Sequence, residues 1–268
     1  MRDRIRVLFL ASDPFRDRAP LRLDEEVRAI DHALRKGTAR DRLELVSHFA
    51  TRTRDLQDAL MRHDPQIVHF AGHGDDPGVL YLGDEYGRPR PVGKEALGKL
   101  FGILGEWIKV VVLNGCDTLP TVEVLGEVVD YAIGMNRPLT DAAALVFAEA
   151  FYGALAMGRT VKESFELGVC QLEIVGSDES ATPVLRIRPG VDPAAPLAVR
   201  PPDDAPPSPS GGDTDATPGK GGQVNTFTTF RGDDALFEAL PGSTDGTQKN
   251  VFGDASITRA VFRTGRPQ

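Results

Sequence analysis

Cysteine is nearly absent, with two in 268 residues, too few for a disulfide framework or a cysteine-based zinc site. Each is therefore either inert packing or a reactive thiol. Long apolar runs are missing too: no stretch approaches the ~20 apolar residues of a spanning helix. The opening MRDRIRVLFLASDPF has an apolar stretch too short and too soon interrupted for a signal peptide. These absences assign the chain to the cytoplasm, with no membrane partner. Positive charge is also scarce, 31 basic against 39 acidic residues for a net charge of -8, which argues against nucleic acid as a partner. The first apolar run leads into ASDPFRD rather than a Gly-rich turn, and no GxxxxGK(S/T) occurs, so a nucleotide site has no support. Asp13 lacks the acidic pair expected beside a response-regulator phosphoacceptor.

What is present is a chain about half apolar once glycine is counted, enough for a full globular core. Up to about residue 188, strand-length apolar runs alternate with stretches of helical period, the pattern of an α/β fold with a mainly parallel sheet and helices on both faces. Strands are expected at 4–10, 43–49, 67–70, 79–82, 109–113 and 131–134. Helices are expected at 23–35, where Leu23, Val27, Ile30 and Leu34 recur at helical spacing, and at 53–62 with Leu56, Leu60 and Met61 inward. Further helices are expected at 96–101, at 140–157 with Thr140 as N-cap, and at 160–174.

Composition changes abruptly after that. Residues 189 to 222 hold nine of the twenty prolines, with Asp, Ser and Gly clusters, as expected of a disordered linker. The expected map is a folded domain at 1–190, a Pro/Gly/Asp-rich linker at 191–222 and a small C-terminal segment at 223–268. The last carries Phe227, Phe230, Phe237, Phe252 and Phe262, too aromatic for a spacer and too poor in other apolar residues for an ordinary core. Either it is a recruitment or self-assembly element, or it is a remnant with no partner.

Two strand ends carry candidate chemistry. In IVHFAGHGDD an apolar strand ends at His73 between Gly72 and Gly74, and ligands in open α/β sheets gather at the carboxyl ends of strands. His69, two residues earlier on the strand, reads as a hydrogen-bonded core residue. In VVVLNGCDT the strand runs out into Asn114, Gly115 and Cys116. Cys170 falls in a helical apolar run and reads as inert packing, whereas Cys116 lies where a parallel sheet could bring it beside His73. A thiol and an imidazole within reach form a nucleophile and its acid/base partner. His69 and His73 are four apart along a strand and turn and no cysteine lies close to them in sequence, so no metal is expected, and no cofactor either.

The blocks HFAGHG at 69–74, VVLNGC at 111–116 and YAIGMNRPLTDAAALVFAEAFYGALAMGRTVKESFELG at 131–168 occur in that order, after VLFLASDP, LRLDEEVRAI and ATRTRDLQDAL. Together they resemble the CHAT domain of the caspase-like clan of cysteine peptidases, over residues 4 to 191. The resemblance implies a caspase-like fold and peptide-bond hydrolysis of a protein substrate by a Cys-His dyad. His73 would be the acid/base, Cys116 the nucleophile, and the backbone N–H groups of Gly74 and Cys116 the oxyanion hole. Relatives of this kind are commonly effectors in bacterial conflict and cell death, some switched on by induced proximity. Two departures stand out. Asp117 follows the nucleophile directly, and Asn114 stands where members specific for basic residues carry Asp. Asn114, Asp117, Asp75 and Asp76 are the candidate cleft residues. Asp75 and Asp76, with Asp84 and Glu85, are either a solvated acidic edge or a preference for basic side chains beyond P1. The competing reading is a catalytically silent caspase-like interaction module recruited through its tail.

Overall fold

The computed structural model describes residues 4–74 and 77–197, together with the backbone of four short strands farther on. Its elements run β1 (Ile5–Ser12), α1 (Leu23–Lys36), β2 (Leu43–His48), α2 (Thr53–His63), β3 (Ile67–Gly72), β4 (Val79–Gly83) and β5 (Pro89–Gly93). They continue as α3 (Lys94–Leu104), β6 (Val110–Asn114), α4 (Leu119–Leu125), β7 (Tyr131–Met135), α5 (Asp141–Ala156), α6 (Val161–Ile174) and β8 (Pro183–Ile187). Six strands form one sheet in the order β2-β1-β3-β6-β7-β8. All pairs in it are parallel except β7 with β8.

The central strands are apolar on both faces because both faces are covered. Val7, Phe9 and Ala11 of β1 point into a core with α1, α5 and α6, while Leu8 and Leu10 point into a second core with α2, α3 and α4. Val191 and Leu197 also pack against the first core. The chain leaves β1 along one face through α1 to β2, then crosses back over the other face through α2 to β3 on the far side of β1. The strand order therefore reverses between β1 and β3, and the crevice outside their carboxyl ends is where such a sheet accommodates a ligand.

Most expected elements are present within a few residues. Thr140 caps α5, its Oγ1 accepting the Ala143 N–H at 3.3 Å. α5 buries Phe147, Phe151, Tyr152 and Leu155, as its all-round apolar sequence required. Two expectations fail on helix phase. Met61 is 55% exposed, because α2 turns Leu56, Ala59 and Leu60 inward and the next residue lies ~100° farther round. Cys170 is exposed rather than packed, because α6 buries Val161, Ser164, Gly168 and Leu172, which leaves Cys170 on the outer side.

Beyond Leu197 only short strand backbones are described. The chain divides into two units, Met1–Asp204 and Ala205–Gln268. In the second, Asn225–Phe227 pairs with Asn250–Phe252 and Ala235–Glu238 with Ala260–Arg263, both parallel, setting Phe227 opposite Phe252 and Phe237 opposite Phe262. The linker expected at 191–222 lies outside the described residues from 198 onward.

Candidate active site

The sheet register aligns three strand ends: Ser12 of β1 pairs with Gly72 of β3, and Ala71 of β3 with Asn114 of β6. Asp13 and His73, the next residues of β1 and β3, and Cys116, two residues past the end of β6, therefore emerge together at the carboxyl edge. His73 and Cys116 line one cleft of about 480 Å³, counted to its open mouth, whose walls are the starts of α1 and α5.

Close packing of glycines brings the two loops together. A Cβ on Gly74 would overlap the carbonyl oxygen of Cys116, and one on Gly115 would lie 2.8 Å from the Gly72 carbonyl oxygen. Side chains at those places would hold the histidine and cysteine loops apart. The turn beyond Cys116 is pinned from below by Thr118, which is wholly buried. Its Oγ1 donates toward the carbonyls of Leu113 and Gly115, each at 3.2 Å, and accepts the Met135 N–H at 2.8 Å. Between them Asp117 takes a left-handed φ of +51°, a conformation Asp tolerates better than most residues. Its carbonyl accepts the Gly78 N–H at 3.0 Å. Asn114 lines the cleft and Asp117 does not.

His73 is oriented by a residue the sequence reading had set aside. Its Nε2 lies 3.1 Å from Oδ1 of Asp13, whose Oδ2 accepts the Leu21 N–H at 3.1 Å. Phe15 meets the imidazole edge-on, with ring centroids 5.1 Å apart. The signal for Asp13 was its position just past an apolar strand, the same signal that singled out His73 and Cys116.

Beneath the cleft lies a buried polar network. His69, 1% exposed, places Nδ1 3.0 Å from the Tyr152 hydroxyl and Nε2 2.8 Å from Oε1 of Glu26, so the core reading of His69 holds. The amide Nδ2 of Asn114 donates to the same Glu26 oxygen. Burial chiefly, and then the Glu26 charge, push the Tyr152 phenol well above its ordinary value, so it stays a neutral donor. Glu26, 5% exposed, was missed in the sequence, where it interrupts the apolar stripe of Leu23, Val27 and Ile30. An acid on a helix's buried face was its signal.

Of the acidic edge, Asp84 closes the β4–β5 turn, accepting the N–H groups of Tyr86 at 2.8 Å and Arg88 at 2.9 Å. These backbone bonds, that from Arg88 first, hold its carboxyl below the usual range. Glu85 pairs with Arg54 at 3.8 Å. Neither lines the cleft, so both belong to the solvated edge. Asp75 and Asp76 lie outside the described residues. Among the described residues no group of three or more His, Cys, Asp and Glu side chains could hold a metal ion, and no helix is long and apolar enough to cross a membrane.

The CHAT domain matches this chain over residues 9–179. A "Probable protease" of Gillisia limnaea is 23% identical over 154 residues, covering 57% of this chain and 27% of that protein. A "Roc-COR-CHAT protease" of Runella zeae is 24% identical over 155 residues, covering 57% of this chain and 16% of that protein. The chain thus aligns with roughly a quarter or less of the length of these curated relatives. Among solved structures, the Arg-specific cysteine proteinase gingipain R is similar with a TM-score of 0.50 at 14% identity, over 73% of this chain and 47% of that one. The fold is thus the mainly parallel caspase-like sheet that the resemblance implied.

Proposed function

The chain belongs to the CHAT domain family, and from that premise we propose that it is a cysteine endopeptidase, hydrolysing peptide bonds of a protein substrate with Cys116 as nucleophile and His73 as acid/base. The observation that carries this reading is the shared cleft: His73 and Cys116 line it from the ends of adjacent strands β3 and β6. The protease names of the curated relatives agree with it.

The chemistry follows from the groups at hand. His73, its Nε2 engaged by Asp13, uses Nδ1 to take the Cys116 proton. The thiolate attacks the scissile carbonyl, forming a C–S bond and placing an electron pair on oxygen. The N–H groups of Gly74 and Cys116 are the donors offered to that oxyanion. As the tetrahedral species collapses the C–N bond breaks, and the imidazolium gives its proton to the departing amine. Water, deprotonated by His73, then cleaves the thioester and restores the thiol. Asp13 is a positioning residue that stabilises the imidazolium.

The proposal extends to a cytoplasmic effector of bacterial conflict or cell death, recruited or assembled through 223–268, since the parallel pairs there set phenylalanines opposite one another. The dyad is tested by exposing the full chain to peptidyl acyloxymethyl ketones and locating the adduct by peptide mapping. Cys116 should be modified in the wild type, and His73→Ala should slow the modification by a factor on the order of 10² or more. Equal labelling in His73→Ala, or none at Cys116, points instead to the silent interaction module.

A further inference from the structure

The sheet has a second opening, at the end opposite the cleft of His73 and Cys116. Ile5, Leu43 and Ile67 are the first residues of β1, β2 and β3, neighbouring strands in which Ile5 lies opposite Leu43 and Val7 opposite Ile67. These three line a cavity of about 460 Å³, counted to its open mouth, together with Leu155 of α5 and Leu197. Its volume is close to the 480 Å³ of the cleft counted in the same way. The six residues of β3 separate it from His73, about 20 Å at ~3.3 Å per residue.

Bonds of their own hold the walls. The connection from α1 to β2 is tied to the end of α5, where the Ala39 N–H donates to the Ala156 carbonyl at 2.8 Å. On the other side, the chain beyond β8 runs along the amino ends of the strands as a strap. The Tyr131 hydroxyl, at the start of β7, donates to the Asp192 carbonyl at 3.2 Å. Asp192 then forms a turn, its Oδ1 accepting the Ala194 N–H at 2.9 Å and its carbonyl the Ala195 N–H at 3.1 Å. That turn delivers Pro196 and Leu197 to the cavity.

Polarity is graded from floor to rim. Ile5, Ile67 and Leu155 are buried, whereas the charged residues lining the cavity, Arg42 and Arg159, are exposed. Among the described residues no acidic side chain lines it. Arg42 has no carboxylate partner among the described residues, and Arg159 has Glu163 at 3.8 Å. The acids close by in sequence are engaged elsewhere or stand off. Oε2 of Glu44 accepts two bonds from Arg6, each at 3.0 Å, Glu163 accepts the Thr160 N–H at 3.0 Å, and Asp41 does not line the cavity. The described lining holds no thiol, hydroxyl, imidazole or carboxylate, so it offers binding without a nucleophile or general base. An apolar hollow rimmed by unopposed guanidinium groups matches an aliphatic chain ending in an anion. We propose that this cavity binds a small amphipathic carboxylate of the fatty-acid class, with its chain against Ile5, Ile67, Leu155 and Leu197 and its carboxylate between Arg42 and Arg159. The site is separate from the peptidase cleft and draws nothing from the assignment of Cys116.

The test follows methyl groups of the full chain by NMR while octanoate is added below its micelle-forming concentration. Butyrate, which keeps the head and shortens the chain, and octyltrimethylammonium, which keeps the chain and reverses the charge, are titrated alongside. Octanoate should shift the methyls of Ile5, Ile67, Leu155 and Leu197, and should bind more tightly than either probe by a factor on the order of ten or more. The double variant Arg42→Gln, Arg159→Gln should weaken octanoate by a similar factor. Both positions are exposed, so the fold should survive the exchange, and a thermal midpoint confirms it. Equal binding of octyltrimethylammonium, or octanoate affinity unchanged in the double variant, would reduce the cavity to a non-selective apolar surface and overturn the proposal. Shifts at Leu139 and Leu145 of the peptidase cleft in place of the four methyls, or no shift at any monomeric concentration, would overturn it as well.

Discussion

Nε2 of His73 lies 3.1 Å from Oδ1 of Asp13, across the carboxyl ends of β3 and β1. One ring nitrogen is thereby committed to a carboxylate, and Nδ1 is the one left for the proton transfers proposed with Cys116 and the substrate. Asp13→Asn keeps the size of the side chain and removes the charge that favours imidazolium. It should lower kcat by a factor on the order of 10 to 100 with little change in KM. A loss that falls on KM rather than kcat, or an unchanged kcat, would show that Asp13 does not act through the imidazole.

Gly74→Ala should be far more damaging to turnover than an ordinary glycine substitution. The added Cβ would overlap the Cys116 carbonyl oxygen, which belongs to backbone pinned by Thr118 and has little room to yield. The histidine and cysteine loops must then separate, and a misplacement of ~1 Å can cost about 10² in rate. Turnover and thermal midpoint measured together test this. A variant with wild-type turnover would show that the loops are free to move.

Cys170→Ala should change stability by less than about 0.5 kcal/mol, as expected of an exposed helical position. Loss of a small side chain packed inside the core, the place the sequence reading gave Cys170, would instead cost up to about 1 kcal/mol. Urea denaturation distinguishes the two. Because Cys170 is accessible, iodoacetamide should modify it in the native protein, so the reactivity of Cys116 is best followed in the Cys170→Ala background.

Tyr152→Phe should destabilise the fold by about 1–3 kcal/mol, since it preserves the ring among Phe151 and His69 but leaves His69 Nδ1 without its buried hydrogen-bond partner. The phenol's folded-state value lies well above 10.0. The stabilisation it brings is fully present below the unfolded value and is lost as pH rises beyond it. The difference between wild type and variant should therefore stay level through neutral pH and shrink above about pH 10. Denaturant midpoints measured from neutral to alkaline pH check both the size and the trend.

The alternation of apolar runs and helical periods carried the β/α order because a sheet covered on both faces needs strands apolar throughout, as in Val110–Asn114. Elements without that signature escaped. β5 is PRPVG, whose prolines argue against a strand except at an edge, where it pairs only with β4. β8 is a short antiparallel addition beside β7, and α4 is a seven-residue helix opening on Leu119-Pro120, too brief for a visible period. Phase within a helix was also legible only in part. Cys170 and Met61 sit among apolar neighbours in sequence, and only the packing of α6 and α2 decides that both turn outward.

By itself the sequence determined that two strands end in a histidine and a cysteine flanked by glycine, because apolar runs stop abruptly at Gly72 and Asn114. It also determined the family, because several short blocks recur in order. Only the tertiary structure decided that Asp13 and Glu26 belong with them. Asp13 is 60 residues from His73 and meets it because β1 is the parallel neighbour of β3. Glu26 is 88 residues from Asn114 and meets it because α1 packs across the face from which β6 projects that side chain. Sequence spacing measures contour length along the chain, whereas hydrogen bonds and charge act over a few ångströms of space, so partners of this kind become visible only once the strands are laid side by side.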